Sequence, residues 1–252
     1  MKKFAKMFTL AVLMIIGGQA MAQTRGAMFL SAAFPMNDYA KFDGFDDFAL
    51  TSTSLDDNNV GAGIGFDFGL KWYFNVGVKG LGVMLSLDGI YNAPNADLKS
   101  AYRDGEGCFG NDFLGASFTY NSTPKYFNVP AMLGLNYIFH LNPNFGVYIE
   151  GGAGGNLRFI TEMEGVTKAN IGPFEAQTKV TNSYDNAFTF AYQFGAGIEV
   201  AKNLVIGCSF YDLGKADVKG QMNVKNNPDF PREKTWGSVH PIMVLGRIGF
   251  SF

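Results

Sequence analysis

The stretch VGAGIGFDFGLKWYF, residues 60–74, alternates strictly between two kinds of residue. Every even position is apolar, and the odd positions are glycine except for Asp67, Lys71 and Tyr73. Successive side chains of a β-strand point to opposite faces, so this pattern predicts a long strand with one wholly apolar face. It is typical of a membrane barrel, in which apolar side chains face lipid while small and polar ones face the lumen.

Seven further segments alternate in a similar way and predict an all-β chain. They are residues 26–34, 81–91, 126–140, 145–160, 187–200, 204–213 and 241–252. Short turns alternate with four long polar segments, which we interpret as loops, at 35–59, 92–125, 161–185 and 215–239. This rhythm predicts a closed antiparallel transmembrane β-barrel of eight strands. A barrel of ten strands that uses residues 113–120 and part of another loop is the alternative.

The N-terminus has the pattern of a cleaved secretory signal peptide. Three lysines precede the apolar run 7–16, which is followed by Ala20-x-Ala22. A membrane-spanning helix needs about 20 apolar residues, and this run is shorter. We therefore predict a signal peptide at residues 1–22 and one barrel domain at 23–252.

Composition excludes several classes of function. Charged residues make up 17% of the chain, and loss of Lys2, Lys3 and Lys6 would take the formal net charge from −2 to −5. Nothing here favours a nucleic-acid partner. The glycine pairs lie within predicted strands and form no nucleotide-binding motif, so we predict no cofactor. Calcium binding by the first loop is an open alternative, although its acidic residues lack the EF-hand spacing: Asp38, Asp43, Asp46, Asp47, Asp56 and Asp57.

Charged residues recur on the predicted inner face. The alternation places seven of them in the lumen: Asp67, Lys71, Asp88, Glu150, Arg158, Glu199 and Arg247. We expect Lys71, Glu150, Glu199 and Arg247 near the turn end, with Arg158 farthest from it. The interior of such a barrel is only as wide as its side chains, and buried charges must pair. The seven residues therefore predict an ion-paired plug or, alternatively, the lining of a narrow pore. Aromatic residues near the turns, including Trp72, Tyr73 and Phe74, predict an interfacial girdle.

One group of residues could support hydrolysis. Ser238 and His240 share the lipid-facing parity of the last strand, and Glu233 is near in sequence. A serine, a histidine and a carboxylate are the groups of a hydrolase triad. A lipid-modifying enzyme is therefore a remote alternative to a rim histidine without a catalytic role.

The chain resembles the small outer-membrane β-barrel proteins, the porin-like family abundant in Bacteroidota and akin to the OmpA and OmpX barrels. The resemblance is carried by the signal peptide, by FAYQFGAGIEVAKNLVIGCSFYDLG at residues 190–214, and by IGFSF at 248–252. It implies outer-membrane location, with outer-membrane lipid and lipopolysaccharide around the barrel. It also implies that Phe250 and Phe252 form the signal read by the barrel-assembly machinery during insertion.

These observations predict a non-enzymatic outer-membrane protein. We expect a structural role, or binding of an extracellular or periplasmic partner that the sequence does not identify, through the long loops. A small passive channel is the alternative. The resemblance specifies the fold better than the function, because one fold serves many roles.

Overall fold

The computed structural model describes residues 24–36, 39, 62–94, 116–171, 174–201, 203–225 and 231–252. The predicted signal peptide and the acidic residues of the first loop lie outside this part of the chain. Among the described residues, no helix is long and apolar enough to cross a membrane.

Eight strands close into an antiparallel barrel, as predicted. Their bounds are β1 Thr24–Met36, β2 Ala62–Asn75, β3 Leu81–Pro94, β5 Tyr126–Asn142, β6 Phe145–Ile160, β9 Ala187–Val200, β10 Leu204–Asp212 and β13 Ile242–Ser251. Their order around the barrel is β1-β13-β10-β9-β6-β5-β3-β2. All eight predicted barrel strands are thus confirmed.

Short connections and both ends of the barrel domain lie at one rim, which we call the turn end. There β2 and β3 are joined by residues 76–80, in which Gly77 and Gly80 adopt positive φ angles of 84° and 83°. Asn142 accepts a bond from the backbone N–H of Asn144 at 2.9 Å in the link between β5 and β6. Such tight links join only antiparallel neighbours.

The period-two pattern sets the outer surface. On β2, Ile64, Phe66 and Phe68 are each more than half exposed on the outside of the barrel. Asp67 and Lys71, at odd positions of the same strand, are buried inside. Large exposed aromatics continue around the barrel on β9, where Phe188 is 76% exposed. The outer surface is therefore an apolar belt. The predicted aromatic girdle was wrong at Tyr73. Its odd position directs the side chain into the lumen, where its hydroxyl donates to Glu150.

A second sheet lies at the opposite rim, which we call the sheet end. Its five strands are β4 Ala116–Tyr120, β7 Met163–Ile171, β8 Phe174–Tyr184, β11 Ala216–Val224 and β12 Arg232–Val239. They are ordered β12-β11-β8-β7-β4, and β8 pairs with β11 from a different connection. The interpretation of these connections as loops was wrong. The exposed side chains described on these strands are polar, for example Glu164, Lys179 and Lys219, so the segments lack the strict alternation that lipid imposes.

The ten-stranded alternative was also wrong. Residues 116–120 do form a strand, but β4 pairs with β7 in the second sheet and not with a strand of the barrel. The closed barrel among the described residues has eight strands.

The lumen is filled by layers of different chemistry, and the inner face of β1 passes through all of them. From the turn end, Arg25 pairs with Glu199, and Ala27 and Phe29 pack with Tyr148 and Val205. Ser31 then bonds Asp67 in a charged middle layer. Beyond it, Ala33 joins an apolar cluster with Ile90, Met132, Tyr211, Met243 and Leu245. The barrel therefore has a packed core, not an open channel, along the described strands.

The C-terminal residue helps to close the barrel at the turn end. Phe252 donates to and accepts from the backbone of Gly26, both at 2.9 Å, and its ring covers the glycine so closely that a Cβ there would lie 2.6 Å from it.

Deletion of Phe252 should slow or reduce assembly, because the β1–β13 seam loses two hydrogen bonds and a ring contact. The measurement is the fraction of heat-modifiable barrel on a gel. Phe252→Tyr is the control, because it keeps the two backbone hydrogen bonds and the ring contact. Equal yields of folded barrel from all three proteins would contradict this expectation.

Candidate functional site

The middle of the lumen holds a cluster centred on Arg247. This arginine contacts Asp88 at 2.7 Å and Asp67 at 3.2 Å, in both cases through Nη2. The same nitrogen donates to the Tyr211 hydroxyl at 2.8 Å, which in turn donates to Asp88 at 2.9 Å. β2, β3, β10 and β13 supply these four side chains, each from an inward position. The structure thus brings together three of the seven predicted lumen residues and adds Tyr211, whose odd position in β10 marked it as inward.

A second ion pair lies beside this cluster. Lys71 bonds Glu150 across the lumen, and both side chains are almost fully buried. The Tyr73 hydroxyl donates to the other oxygen of Glu150 at 3.3 Å. Phe29 lies near the cations of both groups. Its ring centroid is 5.4 Å from Lys71 Nζ and 5.6 Å from the Arg247 guanidinium carbon. Aromatic faces attract cations at such distances, so Phe29 is a further neutral partner for the two buried cations.

Glu199 lies apart from these two clusters. It pairs at the turn end with Arg25, which is partly exposed and stacks on Tyr73. Arg25 was missed because the predicted first strand, which alternates weakly, began one residue later, at 26. The expected grouping of Lys71, Glu150, Glu199 and Arg247 is therefore divided between three ion-paired groups.

Arg158 makes a different kind of contact. Its guanidinium donates to the backbone carbonyl oxygens of Val239 at 2.9 Å and Ala216 at 3.1 Å, with a longer contact to Asp217 at 3.4 Å. Ala216 and Val239 belong to β11 and β12 of the second sheet. Arg158 therefore joins the barrel lumen to the sheet and bonds backbone carbonyls there.

Tyr39, a residue of the first long connection, packs in the lumen at the sheet end. Tyr39 is fully buried, lies edge-on to Tyr126, and bonds Asn92 and Asn128, each at 3.4 Å. Burial raises the pKa of the Tyr39 phenol above its ordinary value, while the Asn128 bond and the Arg158 charge act in the opposite direction. The phenol thus stays neutral. No periodicity in the polar segment around Tyr39 could have revealed this position.

The structure gives the histidine of the hydrolase alternative a carboxylate partner other than Glu233. His240 Nε2 lies 2.7 Å from Asp212 Oδ1, and the Tyr192 hydroxyl donates to Asp212 Oδ2 at 2.7 Å. Glu233 instead lies opposite Gln221 in the β11–β12 ladder, and Ser238 lies opposite Asp217. The contacts of the described residues include no bond between Ser238 and His240. The carboxylate that orients His240 is thus Asp212, which sequence proximity did not indicate.

Metal chemistry finds no support in this part of the chain. Within the described ranges, no three histidine, cysteine, aspartate or glutamate side chains are grouped as metal ligands. The acidic residues for which calcium is an alternative lie outside those ranges.

The fold and its two surfaces define a class. A closed antiparallel barrel with an apolar outer belt and a polar, packed interior is a transmembrane β-barrel. No protein-family model and no curated protein sequence matches the chain.

Several solved structures are similar in fold. One is the attachment invasion locus protein Ail of Yersinia pestis in complex with the heparin analogue sucrose octasulfate, at 13% identity and a TM-score of 0.39 over 91% of this chain and 99% of Ail. Another is the outer membrane protein OprG of Pseudomonas aeruginosa, at 14% identity and a TM-score of 0.41 over 91% of this chain and 94% of OprG. A third is a major outer membrane protein of Thermus thermophilus, at 12% identity and a TM-score of 0.40 over 91% of this chain and 99% of that one.

Removal of the central cation should destabilise the barrel. Arg247→Ala would leave Asp67 and Asp88 buried without their shared counter-ion, at a cost of about 3–5 kcal/mol in the free energy of unfolding. The matched control is Lys179→Ala, which breaks an exposed pair with Glu164 and should cost about 0–1 kcal/mol. Urea unfolding in lipid vesicles measures both, and a similar small loss in the two variants would contradict a structural role for Arg247.

Gly69 is required by the aspartate pair. A Cβ at this position would lie 2.3 Å from Asp88 Oδ1, so Gly69→Ala must displace that carboxylate from Arg247. We expect a loss of about 1–3 kcal/mol in unfolding free energy, as for an overpacked core. Gly89→Ala is the control, since its Cβ would meet a single atom, at 3.8 Å, and should change stability by less than about 0.5 kcal/mol. Equal unfolding midpoints for the two variants would show that Gly69 is not restricted.

Proposed function

We propose that this protein is a non-enzymatic outer-membrane barrel that acts at the cell surface through its five-stranded sheet, as a structural or binding protein. The observation that carries the proposal is the sheet itself. Three of the four long connections contribute strands to it, and a barrel needs none of them to close. A rigid scaffold that presents an ordered surface is the usual arrangement of a binding protein.

The orientation follows from the general architecture of such barrels. Their short turns and chain ends lie in the periplasm, and their long connections lie outside the cell. The turn end of this barrel is then periplasmic and the sheet end extracellular. Outer-membrane lipid and lipopolysaccharide surround the apolar belt, and the barrel-assembly machinery inserts the chain through its terminal strand with Phe250 and Phe252.

The sheet is held rigidly on the barrel. Arg158 bonds carbonyls of two of its strands from inside the lumen. The apolar cluster also crosses the boundary, because Val218 of β11 and Val239 of β12 pack with Met243 and Leu245 of the barrel. A surface fixed in this way loses little conformational entropy when it binds.

The exposed side chains that the structure describes on the sheet are polar. The sheet carries the Lys179–Glu164 pair at 2.7 Å and, on β11 and β12, a shallow cleft of about 240 Å³. The cleft is lined by Asp185, Lys219, Gly220, Gln221, Glu233 and Thr235. Charges of both signs with amide and hydroxyl groups suit a polar partner recognised by hydrogen bonds, and they offer no large apolar anchor.

The filled lumen supports this role over conduction. Ion pairs, Phe29 and the apolar cluster occupy successive levels of the inner face, with Tyr39 at the sheet end.

In planar bilayers we expect the purified protein to give no conductance steps. Defined single-channel steps that change in size in Arg247→Ala would favour the passive channel instead.

The proposal is tested by separating the sheet from the barrel. A variant with residues 163–184 replaced by a short Gly-Ser turn should still insert and show heat-modifiable migration, since β6 and β9 keep their pairing. It should lose the surface phenotype of the wild type, measured as detergent resistance of cells and as adhesion to matrix-coated plates. The control variant Lys79→Ala changes an exposed lysine at the turn end, outside the sheet, and should retain both. An inserted hairpin-deleted barrel with full resistance and adhesion would overturn the proposal.

A further inference from the structure

The middle of the lumen contains more buried acid than base. Asp67, Asp88 and Glu150 face only Lys71 and Arg247, and all five are nearly inaccessible. Lys71 and Glu150 neutralise each other, so Asp67 and Asp88 share Arg247. With every group ionised, this cluster holds one excess negative charge away from water, an arrangement that proteins avoid.

Counting hydrogen-bond donors shows which aspartate is less well satisfied. Arg247 Nη2 carries two hydrogens and donates to three oxygens, at 2.7 Å in Asp88, 2.8 Å in Tyr211 and 3.2 Å in Asp67. The bond to Asp67 is the longest of the three, and Arg247 Nε and Nη1 make no hydrogen bond that would supplement it. Tyr211 passes a further bond to the second oxygen of Asp88, at 2.9 Å. Asp88 therefore receives a donor on each oxygen, as a carboxylate requires.

Asp67 lacks this set of donors. Its Oδ2 accepts bonds from Ser31 at 2.8 Å and from Arg247 at 3.2 Å, and its Oδ1 is buried with no hydrogen-bond partner. Asp67 and Asp88 also lie within about 6 Å of each other, since both contact the same nitrogen, and two carboxylates this close disfavour double ionisation. A neutral carboxylic acid at Asp67 removes the excess charge, and an unpartnered oxygen costs less in a neutral acid than in an anion.

We propose that the lumen is a proton-binding site, in which the folded barrel holds one proton on Asp67 at neutral pH. The titratable and charged groups that face Asp67 are Lys71 and Tyr73 from its own strand, Asp88 from β3, Glu150 from β6, Tyr211 from β10 and Arg247 from β13. At this level β1 and β9 contribute the uncharged Ser31 and Gln193. Arg25 pairs with Glu199 at the turn end, and Arg158 bonds carbonyls of the sheet.

The bound proton links stability to pH. In the unfolded chain an aspartate ionises near pH 4, so above about pH 5 only the folded state holds this proton. Folding then takes up a proton, and this single site lowers the folding equilibrium constant up to tenfold for each unit of rising pH. The effect ends where the folded barrel releases the proton.

Infrared spectroscopy tests the proton directly. The wild-type protein in lipid vesicles at pH 6 should show the C=O stretch of a protonated carboxylic acid. Asp67→Asn should lose this band, and Glu164→Gln, an exposed control, should keep it. Absence of the band in the wild type, or its persistence in Asp67→Asn, would overturn the proposal. Absence of the band in the wild type overturns the proposal even if a variant fails to fold.

Unfolding across pH is the second test. The urea midpoint of the wild type should fall between pH 5 and pH 7, and Asp67→Asn, which mimics the neutral acid, should lose that contribution and be the more stable of the two at high pH. Glu164→Gln should retain the wild-type slope. An identical slope in the wild type and Asp67→Asn would contradict proton binding at this residue.

Discussion

The interior of an eight-stranded barrel is only about as wide as the side chains that fill it, and the arrangement of this molecule depends on that limit. Every inward residue must fit beside neighbours from strands across the lumen, and every inward charge must find a partner there. Gly69 illustrates the first requirement, since any side chain on it would strike Asp88. Arg247 illustrates the second, since one guanidinium serves two aspartates and a tyrosine. The inward side chains must therefore satisfy packing and charge pairing at the same time.

The barrel could be predicted from sequence because lipid imposes a strict rule on its outer face. Ile64, Phe66 and Phe68 must all be apolar, so the period of two is unbroken and the strand count follows. The second sheet is bathed by water on one face and obeys no such rule. Segments such as MEGVTKANI and FEAQTKVTNSY, at residues 163–171 and 174–184, therefore appear as polar loops. The Gly172-Pro173 pair between two Thr- and Val-containing runs was the available hairpin signal.

The candidate site was predictable only in part, for a related reason. The odd or even position of a charged residue shows that its side chain points inward. Its ion-pair partner depends on which strands face each other across the lumen and on where each residue lies along its strand. Lys71 and Glu150 meet across the lumen although 79 positions separate them. Arg25 lies one residue before the predicted first strand, and Tyr39 lies in a segment with no alternation. Arg158 could not have been assigned to the carbonyls of β11 and β12 before those strands were known.

The continuity of the strands also sets a distance. Only Thr161 and Glu162 separate β6 from β7, and Asp185 and Asn186 separate β8 from β9, so the β7–β8 hairpin is a direct extension of the barrel wall. Its nine-residue arm β7 can reach at most about 30 Å beyond the rim. That reach is comparable to the apolar thickness that the barrel spans. A partner bound along this hairpin would therefore lie no farther from the barrel rim than about one membrane thickness.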